Sequence, residues 1–305
     1  METRRLGTSD LEVSVIGLGC NNFGGRIDLD RTRAVVDAAL DAGVTFFDTA
    51  DIYGESRSEQ FLGELLQGRR ERVVLATKFG HELPGGPDVP RGSRAYVHWA
   101  IDGSLERLRT DRIDLYYYHR PDGETPIAET LAAMQELVEM GKVRALGCSN
   151  VSAGQLSEAE VFALAEGKPG FVAVQNEYSL LQRDAERDVL PRARELNVGF
   201  IPYFPLASGL LTGKYRRGEQ APTGSRLEGR DDRLTDEAFG RVEALERFAG
   251  ERGHSLLDLA IGALASTPGV ASVIAGATSA EQVRANVAAG AWAVGEDDLA
   301  ALAAV

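Results

Sequence analysis

Cysteine is nearly missing from this chain: 305 residues contain two, Cys20 and Cys148, far apart and each among small apolar neighbours. With no CxxC pair and no Cys/His cluster, both read as small buried hydrophobes in a reducing compartment rather than as a disulfide or a catalytic thiol. Histidine is scarce too. His81, His98, His119 and His254 have no spacing that sets metal ligands on one helix face, so no metal is expected. Basic charge is in deficit: 33 Lys plus Arg stand against 46 Asp plus Glu, a formal net charge of -13. Such a surface repels phosphate backbones and anionic lipid, so neither nucleic acid nor a membrane is expected as a partner. Long apolar runs are also absent. The N-terminus, METRRLGTSD, has no hydrophobic core of a targeting segment, and the least polar stretch, residues 263–277, is broken by Ser, Thr, Pro and Gly. A cytoplasmic protein is the expectation.

What the chain does have is rhythm. Residues 4–15, RRLGTSDLEVSV, read as a hairpin, after which apolar β-type runs alternate with amphipathic helical stretches. Strands are expected at 15–19, 45–48, 73–78, 113–119, 143–148, 171–175, 199–203 and 272–275. Helices are expected at 30–42, 93–109, 127–140, 153–165, 185–196, 237–251 and 280–289, many closed by a glycine (Gly43, Gly141, Gly253, Gly290). Near-continuous apolar strands joined by helices indicate parallel β buried on both faces. About eight strands favour a closed (β/α)8 TIM barrel, an α/β fold with an N-terminal hairpin, over an open doubly wound sheet. No Pro/Gly/Ser-rich linker divides the series, so residues 1–305 read as one domain. Residues 207–235 break the rhythm, being too polar for core and too long for a plain connection. They read either as a disordered surface excursion or as a lid or cofactor clamp whose Lys214, Arg216, Arg217 and Arg226 could meet phosphates.

The stretch Phe46 to Gly54, FFDTADIYG, runs an apolar strand into a polar loop, placing Asp48 at a strand end and Tyr53 just beyond. Two further strand candidates end in ionisable residues, VVLATK at Lys78 and IDLYYYH at His119. In a parallel barrel all strand C-termini open on one face, so Asp48, Tyr53, Lys78 and His119 converge there. Lys78, partly desolvated and paired with Asp48, is expected to lower the phenol's pKa and make Tyr53 a proton donor. His119 is placed to hydrogen-bond a carbonyl oxygen as hydride arrives at carbon. Hydride requires a cofactor, since side chains do not donate it. GLGCNN, at residues 17–22, lacks the third glycine of a Rossmann fingerprint and does not supply one.

The segments FFDTADIYG, ATKFG, DLYYYHRPD, GCSN, QNEYSLL, YFPLASGLLTGKY and VIAGATSAEQVRANVAA, in this order over nearly the whole chain, resemble the aldo-keto reductase superfamily. The resemblance implies a (β/α)8 barrel binding NADP(H), or less often NAD(H), across its C-terminal face, with a tetrad at Asp48, Tyr53, Lys78 and His119. It further implies that Ser149, Asn150 and Gln175 hold the nicotinamide carboxamide and that Tyr203 stacks on the ring. Gly19, Cys20 and Asn21 after the first barrel strand, and Phe204, Pro205, Leu206, Ser208, Leu210 and Lys214 after the seventh, would flank the cofactor. Gly276, Thr278, Gln282 and Asn286 would meet its adenosine end. Taken alone, Ser149 reads as a helix cap, its neighbours as turn residues and Tyr203 as a packed aromatic.

The sequence also departs from the superfamily pattern. Gly276 and Gln282 stand where many members carry Lys and Arg for the 2'-phosphate; Arg284 is nearby, and the GATS-type segment is similar to bacterial members that mostly take NADP(H). NADP(H) is the expected cofactor, with NAD(H) the alternative. Arg120 replaces a Trp common in relatives, and Asn21, Asn22, Phe23, His81, Glu82 and Arg120 are the expected pocket lining. GEDDLAALAAV is expected as a last amphipathic helix, and the lack of the long C-terminal tail of many eukaryotic relatives suggests an open, tolerant site. Reduction of aldehydes or ketones is the expected activity on a small-molecule carbonyl or alcohol substrate, in a monomer or homo-oligomer. The alternatives are an NAD(P)-dependent sugar or alcohol dehydrogenase and a non-catalytic binding protein like potassium-channel auxiliary subunits. The last is expected to show an added N-terminal inactivating segment and a tetramer-forming surface, whereas the sequence here begins a few residues before the hairpin.

Overall fold

The computed structural model describes residues 1–305, the side chains of Asp231 and Ala304 excepted. The strands are β1 (Thr3–Arg5), β2 (Glu12–Ser14), β3 (Ile16–Gly19), β4 (Phe46–Asp48), β5 (Val74–Phe79), β6 (Ile113–Tyr118), β7 (Val143–Ser149), β8 (Phe171–Glu177), β9 (Gly199–Tyr203) and β10 (Val273–Gly276). The helices are α1 (Leu29–Asp41), α2 (Arg57–Leu65), α3 (Arg94–Leu108), α4 (Ile127–Glu139), α5 (Ala153–Glu166), α6 (Val189–Glu195), α7 (Asp236–Gly250), α8 (Leu256–Ser266), α9 (Ala280–Ala289) and α10 (Glu296–Ala301). Strands β3 to β10 form one parallel eight-stranded sheet in the order β10, β3, β4, β5, β6, β7, β8, β9. It curls into a ring: the Phe200 N–H donates to Gly269 O and the Ala271 N–H to Phe200 O, 2.9 Å each, bringing β9 against the start of β10. The fold is a TIM barrel.

All six residues of β6, IDLYYY, are buried, as a strand covered by helices outside and by packed side chains inside must be. The outer layer joins strands to helices through Leu62, Val97, Ile101, Leu131 and Met134. Inside the ring, Phe46, Leu115, Tyr117, Ala145, Ala173 and Ile201 pack with Leu6, Leu11 and Val13 from the hairpin. β1 and β2 therefore plug the N-terminal mouth, each fully buried Leu or Val contributing about 1.5–3 kcal/mol. The plug fits closely. Gly7 holds φ +55°, and a Cβ there would sit 2.3 Å from Val172 O, so a side chain would prise the hairpin off the barrel.

The barrel strands match their expected positions to within about two residues, the usual uncertainty of element ends. Differences lie elsewhere. α2 and α8 were not among the expected helices, and residues 185–196 split into a short 3-10 turn (Asp184–Glu186) and α6, which Asp188 caps through Val189 N–H. Gly290 closes α9 in the right-handed region, φ -72°, not as a left-handed cap. Its value there is close packing: a Cβ would meet Ile16 Cγ1 at 2.6 Å. The polar interval 207–235 is ordered against a second core, where Leu210, Leu211, Tyr215 and Leu227 pack on Phe239, Val242 and Leu259 of α7 and α8. It is a strap anchored at these four apolar residues, with most of its other side chains exposed.

Candidate active site

Parallel strands bring their C-terminal ends to one mouth. Asp48 is the last residue of β4, Lys78 the penultimate residue of β5, and Tyr203 the last of β9, while His119 and Asn150 directly follow β6 and β7. Gly19 of β3 pairs in register with Asp48, and Ser149 with Gln175, which fixes their heights along the barrel.

Lys78 lies wholly out of solvent, where the sequence reading had it partly desolvated. An ammonium in such a place requires partners. Nζ donates to Asp48 Oδ1 and, at 2.7 Å, to Thr49 O. The other carboxylate oxygen of Asp48 accepts from Gln175 Nε2 at 2.8 Å. The pair is thus satisfied on both sides, as a buried ion pair must be if it is not to cost several kcal/mol. Burial drives the ammonium toward neutrality, but Asp48 and Tyr53 outweigh it and hold the Lys78 pKa above its ordinary value.

Nζ sits 5.2 Å from the centre of the Tyr53 ring. Its charge pulls the phenol's pKa down, yet burial pushes harder the other way and Asp48 adds to the rise. The net shift is upward, which corrects the expectation of a lowered pKa: the hydroxyl stays protonated through the neutral range. His119 meets Tyr53 edge-on, ring centres 5.8 Å apart at 83°. Burial first, then Lys78, His81 and Arg120, press the imidazole's pKa down to about 2, so it is neutral at any working pH. Its Nδ1 is buried with no hydrogen-bond partner in the protein.

Behind these groups the loops are strained into place. Asn150 has φ 57°, a left-handed conformation Asn tolerates. From there Nδ2 donates to His119 O at 2.9 Å while Oδ1 accepts the Tyr203 hydroxyl at 2.7 Å. Phe204, Ala207 and Ser208 also hold positive φ, at 53°, 45° and 60°. Such clusters of strained residues are typical of functional loops.

A cleft of about 700 Å³ opens above them, within the range of roughly 300–1,000 Å³ usual for ligand sites. Asp48, Tyr53 and His119 line it, as do Gly19, Cys20, Asn21, Asn150, Gln175, Tyr203, Phe204, Pro205, Leu206, Ser208, Lys214, Gly276, Thr278, Gln282 and Asn286. Three candidates stand back from it. Lys78 lies beneath it, bonded to Asp48 and 5.2 Å from the Tyr53 ring, Ser149 is buried and donates to Gln175 O at 2.7 Å, and Leu210 packs into the second core. Of the expected pocket lining, Asn22, His81 and Arg120 reach the cleft; Phe23 is buried in the outer core and Glu82 is exposed outside it.

The strap splits its cations. Arg216 pairs with Glu246, and Arg217 with Asp236 and Glu243, both facing α7. Lys214 and Arg226 line the cleft, and Arg226 donates to Asn22 Oδ1 at 3.1 Å across its mouth. Arg26, which no motif singled out, completes the crossing by donating to Gly224 O at 2.7 Å. It comes from a loop between β3 and α1 whose reach to a residue 198 positions away only the closed ring reveals.

A protein of net charge -13 thus lines this cleft with Arg26, Arg120, Lys214 and Arg226 against one carboxylate, Asp48, already paired. That donor set suits a ligand bearing several phosphates. At the far end Gly276 leaves room that a Cβ would take, 3.1 Å from Asn22 Nδ2 and 3.2 Å from Asn21 Oδ1. A nicotinamide dinucleotide fits these features.

A barrel whose strand ends gather a buried Lys–Asp pair, a phenol and a neutral imidazole under a cationic cleft has the makings of an oxidoreductase. The chain belongs to the aldo/keto reductase family, whose pattern it matches over residues 15–305. It is 37% identical over 302 residues to a probable voltage-gated potassium channel subunit beta of Oryza sativa subsp. japonica, covering 95% of this chain and 91% of that one. It is equally 37% identical over 302 residues, with the same coverage, to an uncharacterised oxidoreductase, YrpG, of Bacillus subtilis (strain 168). A probable aldo-keto reductase 1 of Glycine max is 40% identical over 230 residues, 73% of this chain and 64% of that one.

Proposed function

We propose that this protein reduces aldehydes or ketones to alcohols with NADP(H), Tyr53 serving as the proton donor. The observation that carries the reading is the fully buried, fully partnered Lys78–Asp48 pair beneath a protonated Tyr53 at the floor of a cationic cleft. NADP(H), when bound, supplies the hydride that reaches the carbonyl carbon. His119, uncharged, donates a hydrogen bond to the carbonyl oxygen and so orients it without competing for its proton. Tyr53 Oη gives its proton to that oxygen as negative charge develops there, and Lys78 stabilises the phenolate left behind. Asp48 keeps Lys78 in place and exchanges no proton.

Arg26, Lys214 and Arg226 are assigned to the cofactor's phosphates, with the strap as its cover. Gln282 Oε1 is taken up by the Thr278 N–H and hydroxyl, at 2.8 and 3.1 Å, and so shapes the turn at the adenosine end. Arg31, which donates to Thr278 O at 3.2 Å, brings a guanidinium to that end and supports NADP(H) over NAD(H). Oxidation of an alcohol, the reverse reaction, needs the phenolate at the outset, and the raised Tyr53 pKa works against it. The channel-subunit name of the rice relative raises a binding role, for which Tyr53 and His119 in reacting array would be superfluous. Loss of absorbance at the reduced-nicotinamide band, with an aromatic aldehyde and either NADPH or NADH, tests the proposal. Turnover faster with NADPH is expected; no oxidation of either cofactor would refute it.

A further inference from the structure

The carbonyl end of the cleft holds a cation that the protein leaves unneutralised. Arg120 follows His119 in sequence and lines the cleft beside His81, Asn150 and Tyr203, its side chain exposed. Among the described residues no carboxylate lies within ion-pair distance of it. The carboxylate nearest in sequence, Asp122, is fully used elsewhere. It accepts from the N–H groups of Gly92, Glu124 and Thr125 at 2.7, 2.9 and 2.8 Å, and from the Thr125 hydroxyl at 2.9 Å. His81 adds no second positive charge, since burial, then Arg120 and Arg91, lower its pKa and favour the neutral imidazole.

The other cleft cations have different stations. Arg226 and Arg26 are tied across the strap to Asn22 and Gly224, and Lys214 rises from the strap itself. Lys78 and Asp48 cancel each other beneath the floor. Glu177 acts on Tyr203 from outside the cleft lining, which leaves Arg120, among the described residues, as the cation without an ion-pair partner that lines the cleft beside His119, in a chain with 46 acidic residues.

We propose that Arg120 selects carbonyl substrates that carry a carboxylate, gripping that group while the carbonyl oxygen lies on Tyr53 and His119. The inference rests on the reading of the site as a carbonyl reductase. A guanidinium presents paired donors that match a carboxylate's two oxygens, so the grip also sets which way the substrate points. A hydrogen-bonded charge of this kind is worth about tenfold or more in binding.

The test compares 4-carboxybenzaldehyde with methyl 4-formylbenzoate, alike in shape but differing in charge, in the wild type, Arg120→Gln and Arg120→Lys with NADPH. The wild type should favour the carboxylate about tenfold or more in kcat/KM. Arg120→Gln should bring that ratio near one, through KM, and Arg120→Lys should restore part of it. A wild-type ratio at or below one, or one that Arg120→Gln leaves unchanged, overturns the proposal. Calorimetric titration of the same proteins with 4-(hydroxymethyl)benzoate and its methyl ester decides the matter without turnover. If neither aldehyde is reduced, the reductase reading falls, while preferential binding of the benzoate, lost in Arg120→Gln, still upholds the assignment of Arg120; equal binding of acid and ester overturns it.

Discussion

Replacing Lys78 by methionine removes the cation from a site shut off from solvent. The methionine fills much of the same volume, so the cost is electrostatic. Asp48, itself 1% exposed, would keep one hydrogen bond, from Gln175 Nε2 at 2.8 Å, and Thr49 O would lose its donor. Breaking a buried pair from one side costs about 3–5 kcal/mol, because an uncompensated charge stays behind. Replacing both partners, Lys78→Met with Asp48→Asn, removes that charge and should cost less than Lys78→Met alone. Urea unfolding followed by far-UV circular dichroism, at constant m-value, measures all three variants. The account predicts a coupling of about 1–3 kcal/mol between the two sites, the double variant being the milder. Costs that simply add, to within about 0.5 kcal/mol, would show that the pair does not hold together as described.

Two further outcomes follow from buried groups that the chemistry does not use. Asp51 is fully buried, neither carboxylate oxygen has a partner, and burial followed by Glu59 raises its pKa well above the ordinary value. Above about pH 3.9 the unfolded chain releases this proton while the folded protein keeps it, so the folded state loses about 1.4 kcal/mol per pH unit until its own pKa is passed. Asp51→Asn lacks that slope. Its stability relative to wild type should therefore rise between pH 4 and pH 6 in urea titrations, and an unchanged difference would contradict the assignment. Cys20 and Cys148 are both buried with raised pKa values, burial being the main cause. Cys148, which stands away from the cleft, should resist a thiol reagent in the native protein and react in denaturant; fast labelling of Cys148 in the native protein would mean the barrel opens at β7.

The barrel was legible because its strands are short apolar runs between glycine-closed amphipathic helices, a pattern set by burial on both faces. α8 escaped because LLDLAIGALAS is buried nearly all round and so carries no amphipathic stripe. α2 escaped because it starts out of a loop in which Glu55 and Ser56 adopt positive φ and no side chain caps it. Placement of Asp48, Tyr53, Lys78 and His119 at one mouth followed from strand ends alone. The sign of the Tyr53 shift did not, since it depends on how deeply the ring is enclosed relative to Lys78, a quantity fixed by tertiary packing. Arg26 and the inward turn of Arg226, against the outward turn of Arg216 and Arg217, likewise depend on where the strap lands. Composition marked those residues as cations and could go no further.

The central claim is that Tyr53 delivers the proton from above the Lys78–Asp48 pair. Single-turnover reduction of an aromatic aldehyde by enzyme preloaded with NADPH tests it directly in Tyr53→Phe. The phenyl ring keeps the packing against His119 and loses only the acidic hydroxyl. The account predicts that the rate of cofactor oxidation falls by about 10²–10⁴-fold, the usual worth of a general acid, with NADPH affinity little changed. Oxidation at the wild-type rate in Tyr53→Phe would contradict it.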